Sequence, residues 1–191
     1  NGISYRLNSL TQVENHLIMD FGTFEYKVRD GLLEIPEYFD LPEEYYRKGC
    51  HVGATIKTGD NKYLLVELSG KSMNLNRTEF LGGIMETNVD LKMGKDVFTC
   101  LYKELEEEGR IMPTDIESCD LRAVFQDFRT NIGFHFQVVL NVSSEELRQR
   151  FATEERDQDI KSLKICSREE YMRILQSHDQ DKRLLAAILS L

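Results

Sequence analysis

The sequence predicts an α+β protein, an α/β/α sandwich with helices on both faces of a mixed sheet. Three observations point there. Strand-like and helix-like segments are interleaved without a regular βαβ repeat, and residues 96–109 carry a strong helical periodicity. Two Ser-x-x-Glu boxes, at Ser143 and Ser167, each open a helix, with an alternating run between them.

Composition narrows the class. The 191 residues are enough for one domain with a sizeable core, and 41% hydrophobic with 30% charged residues excludes a disordered chain. No apolar run approaches the ~20 residues that cross a bilayer, so no membrane partner is expected. The formal net charge of −9 argues against a general nucleic-acid surface, which needs clustered Lys and Arg, though a local basic pocket remains open. Cys50, Cys100, Cys119 and Cys166 are scattered without a CxxC pair, the usage of structural thiols in a reducing compartment. An intracellular, cytoplasmic location follows as the expectation. The chain opens on Asn1 rather than Met, so it reads as a trimmed or processed piece, and an organelle-targeting segment upstream stays open.

Residues 1–48 read as a β-rich N-terminal extension: one or two strands or a hairpin, then an acidic, tyrosine-rich lead-in that packs on the main domain or on a second copy, which allows a homodimer. From 49 to 191 the pattern is that of one domain. CHVGATI and KYLLVELS, separated by TGDN, form a hairpin. FLGGIM (80–85) is a short strand entering a glycine-rich turn. In DVFTCLYKELEEEG (96–109) Val97, Cys100, Leu101 and Leu105 recur at spacings of three and four, with Gly109 as the stop. Strands return at 120–128 and 133–142, where Phe125, Phe128, Phe134 and Phe136 alternate as core and His135 is expected at the surface. IKSLKIC is a final strand, and DKRLLAAILSL a terminal amphipathic helix.

The segment KELEEEGR (103–110) asks for an explanation. Glu104, Glu107 and Glu108 fall within an arc of about 100° on a helix, while Glu106 points elsewhere. Like charges at i,i+4 weaken a helix by a few tenths of a kcal/mol, and anions near its C-terminal end oppose the dipole. Helix stability explains neither, and leucines flank the arc. A divalent cation would explain both, since carboxylate-dense sites suit Mg²⁺ or Mn²⁺.

With these residues in place, FLGGIME…GKDVFTCLYKELEEEGRI resembles the signature of the Nudix hydrolases: a glycine, five residues, Glu, seven residues, then Arg-Glu-aliphatic-x-Glu-Glu-x-Gly-aliphatic. Lys103 to Ile111 align with its second half without gaps, with Leu105 and Ile111 in the aliphatic places. Lys103 replaces the arginine and loses its planar fork, and Gly109–Arg110 replaces x-Gly. Lys95 stands where the first glutamate belongs, and the loop from Gly83 to Lys95 is six residues longer than the pattern. Glu86 and Asp96 are the two candidates for the missing carboxylate.

The resemblance implies a Nudix-type α/β/α sandwich and hydrolysis of a nucleoside diphosphate linked to another group: a nucleotide sugar, ADP-ribose, a dinucleotide or an RNA 5′ end. It implies Mg²⁺ or Mn²⁺ on Glu104, Glu107 and Glu108, with the Gly82 carbonyl as a further ligand. Three carboxylates compete as general base, Glu104, Glu154 and Glu155, the last two in the loop before the final strand; Glu155 joins the catalytic set. Arg77, Phe80 and Lys103 are the candidate substrate contacts, with a core role competing for Phe80. Lys95 and the long loop leave a second function open, a catalytically weak or inactive module that senses a nucleotide or scaffolds a complex. SGKS (69–72) is no P-loop, because Leu65 stands where glycine is needed and no helix follows.

Overall fold

The computed structural model describes residues 3–25, 40, 48–69, 78–86, 96–127, 130–153 and 160–177. The expected terminal helix over 181–191 lies outside them, as does most of the acidic lead-in. Eight strands are described: β1 (Ile3–Val13), β2 (His16–Glu25), β3 (Cys50–Lys57), β4 (Tyr63–Leu68), β5 (Thr78–Glu79), β6 (Ile116–Gln126), β7 (Ile132–Leu140) and β8 (Ile160–Cys166). The helices are α1 (Val97–Gly109), α2 (Ser144–Thr153) and α3 (Arg168–Ser177). As expected, the protein is an α/β/α sandwich.

The central sheet runs β5-β4-β3-β7-β6, with β8 on the other edge of β4. β3 and β7 are parallel in unbroken register from Cys50↔Ile132 to Lys57↔Val139. β3 and β4 pair only beside their turn, at Ile56↔Leu64 and Lys57↔Tyr63, and then part. Residues 78–86 fill the fork. Thr78 and Glu79 pair with Glu67 and Val66 of β4; beyond them the chain crosses to β3. There Leu81 and Gly83 carbonyls accept from Ala54 and Val52 N–H at 3.1 and 2.9 Å, and Met85 N–H donates to the Cys50 carbonyl at 3.0 Å.

Side-chain alternation then builds two cores. Val52, Ala54, Ile56, Leu64, Val66, Phe134 and Phe136 face α1 and α2, meeting Val97, Leu101, Leu105, Leu147 and Phe151. Leu101 and Leu105 are fully buried, each worth about 1.5–3 kcal/mol. On the other face Tyr63 and Leu65 meet Tyr171 and Leu175 of α3. β7 is covered on both faces, so the expected outward position of His135 is overturned: it is 2% exposed. Strand β6 begins four residues earlier than predicted and carries irregularities at Ile116/Ser118 and Leu121/Ala123, which interrupt its alternation.

The N-terminal segment forms a long hairpin. Its base joins the domain: Tyr5 N–H donates to Met85 and Leu7 N–H to Lys48, Leu7 is buried, and the Phe21 ring lies 6.2 Å from Phe134. Its outer half exposes Leu10, Val13, Leu17 and Ile18.

Each helix has a local reason to start. The Asp96 carboxylate accepts from Phe98 and Thr99 N–H and caps α1. Ser143 and Ser167 hydroxyls accept from Glu146 and Glu170 N–H, as their boxes predict. The end of α1 differs from expectation. Gly109 is its last helical residue, buried under Leu81 and Ile111, and the left-handed cap is Arg110 at φ 56°. The paired bonds Arg110 N–H to Glu106 and Ile111 N–H to Leu105 close the helix, at a cost of about 1–2 kcal/mol for a non-glycine residue in that conformation.

Two polar contacts hold α2 to the rest of the fold. Arg150 donates through both terminal nitrogens to the buried Asp115 of the turn after α1, and Asp115 also accepts from Met112 N–H. Arg150→Ala leaves that carboxylate short of its counter-charge and is expected to cost about 2–4 kcal/mol in urea denaturation. At the other end, Asp60 accepts from the Ser144 hydroxyl and N–H and from the Thr58 hydroxyl. The Ser144 hydroxyl first, then that of Thr58, holds its carboxyl down at about 2. A depressed folded-state pKa gives stability that is present above the ordinary carboxylate value of about 4 and lost as pH falls toward 2. Melting temperature followed over that window is therefore expected to fall less steeply in Asp60→Asn than in the wild type.

Candidate active site

Glu104 and Glu108 sit one turn apart on α1 and both reach the turn at Gly82–Gly83. The Gly82 N–H donates to Glu108 Oε2 at 3.1 Å. The Glu104 carboxylate lies against Gly83 so closely that a Cβ there would stand 2.4 Å from its Cδ. The two glycines serve different purposes. Gly82 has φ 153°, and a Cβ on it would lie 2.2 Å from the Val52 carbonyl, so it permits the close approach to β3. Gly83 leaves room for a carboxylate.

The carbonyls of this turn are divided too. Those of Leu81 and Gly83 are taken up by β3. Alternation along an extended segment directs the Gly82 carbonyl to the opposite edge, the side from which Glu108 reaches the Gly82 N–H. Carboxylate oxygens such as those of Glu104 and Glu108 are of the type that suits Mg²⁺ or Mn²⁺.

Glu107 is placed differently. Its carboxylate is 3.8 Å from Lys103 Nζ, with the glutamate side chain 57% and the lysine 25% exposed. Both line an open groove on the outer flank of α1 with Thr99, Tyr102, Arg110 and Pro113. The three glutamates share one arc, but two converge on the glycine turn and the third pairs with Lys103. Among the described residues no three carboxylate, imidazole or thiol groups stand close enough to share a metal ion.

The remaining candidates separate in the same way. Asp96 is occupied as the cap of α1, eight residues and about 12 Å along the axis from Glu104. The backbone of Glu86 bridges to Ser4 of β1. Arg77, Lys95, Glu154 and Glu155 lie outside the described residues. Phe80 is half-buried, edge-on to the His135 ring at 5.2 Å and to Tyr171 at 6.5 Å.

Beside Phe80 stands a buried polar chain that sequence reasoning missed. Thr55 Oγ1 is 3.0 Å from His135 Nε2 and 3.0 Å from the Tyr171 hydroxyl, and all three residues are at most 2% exposed. Burial pushes the Tyr171 phenol well above its ordinary range, so it stays protonated. The one legible sign was Thr55 set between Ala54 and Ile56 in β3.

All four cysteines are free thiols; burial raises Cys50 to about 12 and Cys166 to about 11, which makes both poor nucleophiles. Among the described residues no helix is long and apolar enough to cross a membrane.

Neither a protein-family model nor a curated protein sequence matches the chain. Solved structures do. DR0079 from Deinococcus radiodurans is similar at TM-score 0.53 and 13% identity, over 94% of each chain. The NUDIX domain of Shewanella oneidensis NrtR, solved in complex with ADP ribose, is similar at 0.52 and 14%, over 72% of this chain and 85% of that one. A C. elegans Ap4A hydrolase is similar at 0.50 and 15%, over 73% and 98%. In its split sheet, glycine turn and carboxylate-bearing helix, the chain has the Nudix fold.

Proposed function

We propose that this protein is a divalent-metal-dependent hydrolase that cleaves the pyrophosphate bond of a nucleoside diphosphate linked to another group. The observation that carries the reading is the convergence of Glu104 and Glu108 on Gly82–Gly83. The ligands of two similar folds support the substrate class. One is bound to ADP ribose and the other is named for Ap4A, and in both compounds a phosphate anhydride joins a nucleoside to another group. Nucleotide sugars and an RNA 5′ end contain the same bond and belong to the same class.

In this reading Glu104, Glu107 and Glu108 are the metal carboxylates, with the Gly82 carbonyl beside them. Mg²⁺ or Mn²⁺ bound there would offset the charge of the diphosphate and acidify a bound water. The protein supplies the placement. The Gly82 N–H fixes one oxygen of Glu108, and Gly83 gives Glu104 its room. Lys103, 3.8 Å from Glu107 on the flank of α1, is a candidate contact for substrate. The water's proton goes to a carboxylate, Glu104 on the helix or Glu154 or Glu155 in the loop before β8. Arg77 is the cation for phosphate, and Phe80 the ring beside the glycine turn.

A second reading, a module that binds the nucleotide without turnover, is favoured by Lys95 in the first-glutamate place and by the separation of Glu107 from its two neighbours. Incubation with ADP-ribose, Ap4A, a nucleoside diphosphate sugar and a 5′-triphosphate RNA, in Mg²⁺ and in Mn²⁺, distinguishes the two. Turnover is expected in the wild type, with a loss on the order of 100-fold or more in Glu108→Gln. Binding without turnover, unchanged by that substitution, supports the second reading; neither binding nor turnover overturns both. Millimolar Mn²⁺ is also expected to raise the melting temperature of the wild type but not of Glu104→Gln.

The two glycines give an independent check. Gly83→Ala displaces only the movable end of Glu104, so turnover is expected to fall while the melting temperature changes little. Gly82→Ala meets the β3 backbone and is expected to cost about 2–3 kcal/mol, roughly 5–10 °C for a chain of this size.

A further inference from the structure

The glycine turn is buttressed from the side away from α1. Phe80 lies two residues before Gly82, and its ring meets the edge or face of His135 at 5.2 Å with planes 78° apart. His135 is paired in register with Gly53, where a side chain would approach Phe80 Cβ and the Leu81 carbonyl at 4.0 and 3.8 Å. Behind the imidazole, Thr55 Oγ1 links His135 Nε2 to the Tyr171 hydroxyl of α3. A hydroxyl has one proton, so Thr55 donates to one neighbour and accepts from the other. In either direction the three groups form one continuous chain, and removing the Thr55 hydroxyl breaks it at both bonds.

We propose that His135 is a positioning residue for the metal-site turn: the Tyr171–Thr55–His135 chain fixes the imidazole, the imidazole fixes Phe80, and Phe80 holds Gly82 where its N–H meets Glu108. This rests on the reading of Glu104 and Glu108 as metal carboxylates. Packing alone does not require the arrangement. An apolar side chain at 135 would fill the space beside Phe80, whereas a hydrogen-bonded imidazole holds its ring in one orientation. The cost of burying three polar groups is thereby balanced by a fixed wall under the glycine turn.

Thr55→Val, Thr55→Ser and Leu175→Ala test the assignment in the whole chain. Leu175 packs in the same cluster under α3 but, with no polar side-chain atom, takes no part in the hydrogen bonds of the chain. The first readout is hydrogen exchange of the Gly82 amide, which needs no metal. About tenfold faster exchange is expected in Thr55→Val, with Thr55→Ser close to the wild type and Leu175→Ala lowering the melting temperature without that local effect. The second is Mn²⁺ affinity by calorimetry, expected to weaken about tenfold in Thr55→Val and to recover in Thr55→Ser. Unchanged protection of Gly82 in Thr55→Val, or equal loss of protection in Leu175→Ala, overturns the positioning role. If the wild type binds no Mn²⁺, the metal reading fails, and with it the metal-site part of this assignment, while the exchange data still decide whether the chain holds the turn.

Discussion

Two strands that pair for only two residues before separating set the geometry of everything else in this structure. An opened sheet leaves backbone donors on β3 without neighbours, and buried N–H groups must be satisfied. The segment 78–86 answers them: Ala54 and Val52 donate to its carbonyls, and its own Met85 N–H returns to Cys50. A third segment in so narrow a fork cannot carry side chains at every position. Gly82 is where its backbone comes too near Val52 for any Cβ. From that constraint follows an N–H that faces away from the sheet and is available to a carboxylate.

The helix end that meets this N–H carries more negative charge than a helix C-terminus favours. Two features lessen the conflict. Glu108 is directed onto a backbone donor of another segment, and Lys103 offsets Glu107 across one turn. The Glu104 carboxylate is set close against the backbone at Gly83. In the proposed reading, a cation between Glu104 and Glu108 would relieve the repulsion between the two carboxylates. The left-handed Arg110 fits the same picture. The helix ends at Gly109, Ile111 turns into the core, and the tight paired bonds at the Arg110 cap achieve that without glycine in the left-handed position.

Local signals were the legible part of the sequence. The β3–β4 hairpin, α1, the serine caps of α2 and α3 and the strand β8 each depend on residues within a turn or two of one another, and each lies close to where pattern and capping chemistry put it. The glutamate pair and the glycine turn were legible for the same reason. What failed depended on layers. His135 alternates with Phe134 and Phe136, a pattern that signals an outward side chain when one face of a strand is wet; here α3 and Phe80 occupy the second face. The division of Glu107 from Glu104 and Glu108 depends on where the glycine turn stands relative to α1, and helical phase alone does not contain that. The helix does end at Gly109, but the left-handed cap falls on Arg110, and Gly109 is constrained by the nearness of Leu81 and Ile111.

The two layers are coupled through a single thickness of backbone. Along 80–85 the residues alternate between faces, so Leu81 and Met85 anchor the segment in the core under α1 while Phe80 anchors it toward α3. Gly82 and Gly83 supply no side-chain anchor of their own, and glycine has the greatest backbone freedom to lose. The position of the turn is therefore set by its flanks and by its bonds to β3. A loosened flank on either face would move the Gly82 N–H by fractions of an ångström, which suffices to weaken a hydrogen bond whose strength falls steeply with geometry. Glu108 would then lose its fixed oxygen before the fold lost measurable stability. In the proposed reading, a pair of carboxylates set on a glycine turn thus depends on packing on the far side of the sheet, and the buried polar chain beside α3 serves the glutamates of α1.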